Sequence, residues 1–181
     1  MTEEITFPID NDFVLDRYRD EIILRAKWTQ TYLNEGIDAT DPKEKIRHFT
    51  SAITYAMSIS RLIYWHTSPP HSSKRKLAKQ RARAIKNRWP SLPFPPDTLK
   101  NVRNRLEHFE EWMDDWASSD SANIYIDFNM GLSQDSMELE GIGVAKSFRD
   151  ISARGDFSVL GEKVNLDAIN HWCAKIIESL E

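Results

Sequence analysis

PDTLKNVRNRLEHFEEWMDDWAS, residues 96–118, is the stretch whose reading decides the fold. Leu99, Val102, Leu106, Phe109, Met113 and Trp116 recur at alternating three- and four-residue steps, the stripe that an amphipathic helix turns toward a core. The spacing predicts one long helix. Pro95 and Pro96 stop the preceding segment, and Asp97 or Thr98 can cap the first free amides with a side-chain oxygen. The polar side of the helix carries Arg103, Asn104 and His108, a constellation with chemical potential.

Working back from that helix, the connector Trp89–Pro96 holds four prolines and is stiff. Before it, Lys74, Arg75, Lys76, Lys79, Arg81, Arg83, Lys86 and Arg88 form a run without a single acid. The formal net charge is only -4, so the rest of the chain is strongly acidic and this segment stands out against it. Lys, Arg, Ala and Gln are good helix formers, so the run can be helical if something anionic relieves its repulsion. Its cations suit a nucleic-acid backbone, and Trp89 close behind is placed to stack one base. A solvated helix balancing an acidic body is the plainer reading. Residues 66–73, HTSPPHSS, read as a loop.

Two more helices are expected upstream. Val14, Tyr18, Ile22, Ile23, Ala26, Trp28, Tyr32 and Leu33 outline one from about Asn11 to Asn34, with Gly36 as its stop. Asp41-Pro42 opens the second, which runs to about Trp65 through Ile46, Phe49, Ile53, Met57 and Ile63. Downstream of Trp116 the period changes. Ile124, Ile126, Phe128 and Met130 alternate as in a half-buried strand, residues 143–151 form a weaker candidate, and Phe157, Val159 and Leu160 a third beyond the Arg154-Gly155-Asp156 turn. The connections are short, so antiparallel pairing is expected. Ile169, Trp172, Cys173, Ile176 and Leu180 mark a final helix from about Leu166.

Several function classes drop out. There is no Gly-Lys-Ser/Thr phosphate loop, His-Glu-x-x-His helix, Gly-x-Ser-x-Gly elbow or paired cysteine set. Gly141-Ile142-Gly143 lacks the third glycine of a nucleotide-binding loop. His66 and His71 share a loop but no third ligand suggests itself, so neither a metal nor a cofactor is expected. Cys173 is alone, no segment reaches the roughly 20 apolar residues that span a bilayer, and the start MTEEITFPIDND lacks the features of a signal peptide. A cytoplasmic location and no membrane partner are the expectation. Trp28, Trp65, Trp112, Trp116 and Trp172 lie on or beside apolar stripes and read as core or interface.

Arg103-Asn104 followed by His108, with four residues between the arginine and the histidine, resembles the signature of the HEPN superfamily of all-helical proteins. The match covers one helix directly and the preceding helices only in general arrangement. The resemblance implies metal-independent RNA cleavage by a homodimer, in which His108 handles the proton of the 2′-hydroxyl attack, Arg103 stabilises charge on the phosphate and Asn104 orients His108. It also implies a toxin-like effector with RNA as substrate and a cognate antitoxin or other partner protein. Some HEPN toxins carry tyrosine two places after the histidine; this chain has Glu110, so control through that tyrosine is not implied.

Helix geometry adds its own constraints. Five positions give about 7.5 Å of rise and roughly 140° of rotation, so Arg103 and His108 do not share a narrow face, whereas Asn104 and His108 do. Arg103 can simply pair with Glu107, leaving His108 on a solvated surface. Glu107, Glu110, Glu111, Asp114 and Asp115 would repel a phosphate. The expected protein is therefore mainly α: a HEPN-like bundle of four to five helices with a small antiparallel β-meander before the C-terminal helix. It forms a single domain over residues 1–181, with a helical bundle (1–118), a β-meander insertion (119–163) and a C-terminal helix (164–181). Two other functions remain open: a non-catalytic dimerisation or interaction module using Leu106, Phe109 and Met113, and a nucleic-acid binder without cleavage.

Overall fold

The computed structural model describes residues 8–64, 73–118, 125–130, 138–139, 143–144, 146–152 and 154–181. His66, His71 and the loop around them lie outside the described residues, as do the side chains of Trp65 and Trp116. The protein is mainly helical. Among the described residues, α1 (Asp12–Asp38), α2 (Pro42–Tyr64), α3 (Ser73–Arg88), α4 (Leu99–Glu107) and α5 (Phe109–Ala117) precede a small sheet, and α6 (Leu166–Leu180) follows it.

α1 and α2 form the framework, an antiparallel hairpin whose facing stripes bury Ile22, Ala26 and Leu33 against Phe49, Ile53 and Ala56. Asn11 opens α1 by accepting from the Phe13 amide (2.9 Å), and Asp41 opens α2 by accepting from the Lys43 amide (3.1 Å). Gly36 does not stop α1. The helix runs two residues past it, and Gly36 is buried against the Phe49 ring of α2. A Cβ there would stand 2.6 Å from Phe49 Cε1. Termination falls instead to Lys45, whose ammonium donates to the carbonyls of Gly36 (2.8 Å) and Ile37 (3.0 Å). Gly36→Ala is expected to destabilise the protein by about 1–3 kcal/mol despite alanine's better helix propensity, because Phe49 is buried and cannot yield. A thermal melt at or above that of the parent protein would contradict the close approach.

α6 returns along α1 and completes the core. Asn165 caps it through Oδ1, which accepts from the Ala168 amide (2.9 Å). The basic run is indeed a helix, α3, anchored by buried Ala82 and Ile85, and it ends before Trp89-Pro90. The connector after it is held at one carbonyl: Pro93 O accepts from Tyr64 Oη (2.8 Å) and from Trp172 Nε1 (2.9 Å).

The sheet departs from expectation in one respect. β4 (Lys146–Ile151), β5 (Asp156–Val159) and β6 (Glu162–Asn165) form the antiparallel meander before α6. β1 (Tyr125–Met130) adds to its edge in parallel with β4, Tyr125 opposite Lys146 and Met130 opposite Ile151. The intervening chain carries a separate two-stranded piece, β2 (Glu138–Leu139) with β3 (Gly143–Val144), and is long enough for the crossover that a parallel neighbour requires. β5 and β6 meet through Leu160 and Gly161, both with positive φ, the backbone that a tight two-residue hairpin needs. On the sheet's helix-facing side Phe157, Val159 and Val164 join the core, with the Phe157 ring 6.0 Å from that of Phe49. Behind it, Asp150 is buried and accepts from the hydroxyls of Ser147 (3.2 Å) and Ser158.

Two protons, one on buried Cys173 and one on half-buried Tyr64, tie the core to pH. Burial pushes the Cys173 thiol from 9.0 to about 12, with a hydrogen bond to Thr29 acting weakly the other way, and burial pushes the Tyr64 hydroxyl from 10.0 to about 12. Between the ordinary and the raised value the unfolded chain releases a proton that the folded chain keeps, so stability falls as pH rises through that window. Denaturant midpoints are expected to drop from about pH 9 to about pH 12, and the double variant Cys173→Ala, Tyr64→Phe to show a shallower decline. An unchanged slope would place the alkaline sensitivity elsewhere.

Candidate functional site

The long helix predicted over residues 96–118 is two helices. His108 has φ -116 and ψ 32, outside the helical region, and divides α4 from α5. The backbone bonds persist across the junction, from the His108 amide to Asn104 O (3.1 Å) and from the Trp112 amide to His108 O (3.4 Å), so the chain is not looped out there. Just past the break Phe109 meets Phe148 of the sheet edge-on (5.5 Å) and lies under the Arg149 guanidinium (4.5 Å). α4 itself starts at Thr98, but no side-chain cap forms; the first amides bond to Pro96 O and Thr98 O.

α4 crosses the end of β6, and the space between them is a groove of about 310 Å³ lined by Asn101, Asn104, Arg105, His108, Glu111, Trp112 and Glu162. Asn104 and His108 share it, as their four-residue spacing requires. Arg103 does not line it. Its guanidinium, largely buried, pairs with Glu107 and donates to Asn104 Oδ1 (3.2 Å). Glu107 is in turn 3.3 Å from Arg61 at the end of α2. The cation in the groove is Arg105, whose guanidinium lies 3.6 Å from the centre of the Trp112 ring and 3.7 Å from Glu162. Trp112 is thus part of the groove wall rather than the core, while Trp28 is half-exposed against Tyr55 and only Trp172, among the described tryptophan side chains, is buried.

His108 is exposed, and its Nδ1 stands 3.0 Å from Glu111 Oε1. With a carboxylate on Nδ1, the neutral ring places its proton on that nitrogen and leaves the lone pair on Nε2. This is the arrangement of a general base held in one tautomer. Glu111 was legible only as one of several acids hostile to phosphate, although its position three residues after His108 on a helix was the signal of a contact. The break also lets Glu110 join this group: one ligand atom each from His108, Glu110 and Glu111 lies within 4.8 Å of the others. All three are exposed, and this trio is where the described residues could hold a divalent cation.

The second region is α3. Lys74, Lys76, Arg83, Lys86 and Arg88 are exposed, and no acid lies on the helix. Arg75 and Lys79 are half-buried. Arg81 is structural: it donates to Leu62 O (3.1 Å) and Arg61 O (2.8 Å), satisfying carbonyls at the end of α2, and its guanidinium lies 6.0 Å from the Tyr18 ring. Trp89 is half-buried, packed against the core. Arg61 touches both regions, holding Arg81 through its carbonyl and Glu107 through its side chain.

Among the described residues no helix is long and apolar enough to cross a membrane. Compared with known proteins, the chain matches no family model, no curated protein and no solved structure.

Proposed function

We propose that the protein is a HEPN-like endoribonuclease that binds RNA along α3 and cleaves it in the groove at His108 without a metal ion. One observation supports this reading above others: an exposed histidine on a groove, its Nδ1 engaged by Glu111 at 3.0 Å. In the proposed reaction Nε2 takes the proton of a ribose 2′-hydroxyl, the resulting alkoxide attacks the adjacent phosphorus, and the 5′-oxygen leaves. Asn104 borders the ring one turn earlier. Arg105 is the cation in the groove, and Arg103 reaches a phosphate only by leaving Glu107. A homodimer that sets two such helices face to face would add cationic donors to each groove, which is why the oligomeric state belongs to the same reading. A cytoplasmic toxin-like effector restrained by a partner protein is the biological form it suggests.

A second reading is favoured by a separate observation. The capture of Arg103 by Glu107 and the exposed cations of α3 suit an RNA-binding protein that does not cleave. Cellular RNA incubated with the purified protein in EDTA separates the two. Cleavage in the chelator, with His108 required, supports the nuclease. Salt-sensitive binding without cleavage supports the binder. A cation seated on His108, Glu110 and Glu111 would take a ring nitrogen and displace the Nδ1 contact with Glu111 that leaves Nε2 free, so the nuclease reading also expects zinc to inhibit.

A further inference from the structure

The connector between α3 and α4 displays one aromatic ring to solvent. Phe94 is 71% exposed, the most exposed large apolar side chain among the described residues. It is not a loose side chain. Tyr64 stacks on it at 5.1 Å with an interplanar angle of 22°, and Tyr64 Oη donates to Pro93 O, the carbonyl of the peptide that leads into Phe94. Trp172 Nε1 donates to the same oxygen, and Pro93, Pro95 and Pro96 restrict the backbone on both sides. A single exposed ring is ordinary on a protein surface, but one held by a second ring and a pinned backbone is a preorganised flat surface that a ligand with a flat face can cover. The charge beside it names the class of ligand. Lys86 Nζ lies over the Phe94 ring, 5.4 Å from its centre, on a flexible stem that lets it move from the ring to a phosphate when a base takes its place, and Arg88 follows on the same end of α3.

We propose that Phe94 is a base-stacking platform for single-stranded RNA, with Lys86 meeting the phosphate of the stacked nucleotide. The assignment deepens the RNA reading above and rests on it. It also names the form of the substrate. A base in a duplex has both faces covered by its neighbours, so only an unpaired base can lie on this ring. Trp89, the aromatic residue nearest the basic run in sequence, is half-buried against the core and less accessible than Phe94. Phe94, five residues further on, takes the place at the helix's end.

The test measures binding by fluorescence anisotropy of the full chain to oligoadenylate and to an RNA duplex of the same length, in EDTA. Phe94→Ala is expected to weaken oligoadenylate binding by about 5- to 100-fold, the range for one lost stacking contact, and to leave duplex binding and the salt slope unchanged. Phe94→Leu keeps an apolar side chain without a π-face and is expected to bind as poorly as alanine, whereas Phe94→Trp binds as well as the parent protein. Lys86→Ala with Arg88→Ala is expected to reduce the salt slope with both ligands. If Phe94→Ala or Phe94→Leu binds oligoadenylate like the parent while the Lys86/Arg88 pair still weakens it, the platform is wrong and α3 remains the binding face. If the parent protein binds neither RNA, the platform falls together with the RNA reading.

Discussion

Replacing His108 with alanine is expected to lower metal-free RNA cleavage by about 10²- to 10⁴-fold, the contribution of one positioned proton-transfer group. Stability should hardly change. The imidazole is exposed, and its contact with Glu111 is a surface pair worth roughly 0–1 kcal/mol, so the melting temperature of His108→Ala should lie close to that of the parent. Glu111→Gln is the sharper comparison. It retains the size of the side chain but removes the charge that holds the imidazole in one tautomer and stabilises it once protonated, so cleavage should fall by about 10-fold or more without reaching the His108→Ala level. Equal rates for the parent and His108→Ala would remove the groove from any account of catalysis. A strong loss in His108→Ala with none in Glu111→Gln would keep the base and discard the pairing.

Phe157→Ala is expected to carry the largest cost in stability, roughly 3–5 kcal/mol, because it leaves a cavity where the sheet meets the helices. Phe157 is fully buried at the centre of β5 and faces Phe49 on α2, the same ring that packs against Gly36. Removing it empties a space bounded by two elements that cannot both relax into it. That loss is a large share of the roughly 5–15 kcal/mol that holds a domain of this kind together. Urea titration is the measurement: a lower midpoint with an unchanged slope is the expected result, and Phe157→Leu should recover most of the loss. A midpoint for Phe157→Ala near that of the parent would mean that the sheet is not anchored through this ring.

How much was legible before the structure depends on where each signal lives. α2 and α6 were readable to within a residue or so because Phe49, Ile53 and Met57, or Ile169, Trp172 and Ile176, repeat with the helical period, and Asp41-Pro42 marks where α2 begins. Gly36 misled because glycine ends a helix only when the backbone needs a positive φ; here it leaves room for the Phe49 ring, and nothing local marks that. The break at His108 left no trace in the stripe, since Leu106, Phe109 and Met113 keep their spacing while the backbone beneath them changes. The parallel seat of β1 depends on which strand lies next to it in space, and alternation reports only faces. The sharing of one groove by Asn104 and His108, and the ion pair of Arg103 with Glu107 outside it, followed from four-residue spacings. Glu111 was visible as charge and not as a partner, because its contact with His108 depends on how the next helix begins. Phe94 belongs to a proline-rich connector that has no period, so its exposure could come only from coordinates.

The interruption at His108 has a thermodynamic side. α4 is fastened to the core by Leu99 and Val102, both buried, whereas none of the described side chains of α5 is buried. A nine-residue helix with so little covered surface opens at a small fraction of the global unfolding free energy, so its amides should exchange with solvent long before those of α4. Glu111 lies in the first turn of that weak helix and His108 at the end of the strong one. The contact between them therefore exists only while α5 is wound, and its occupancy follows a local folding equilibrium rather than the stability of the molecule.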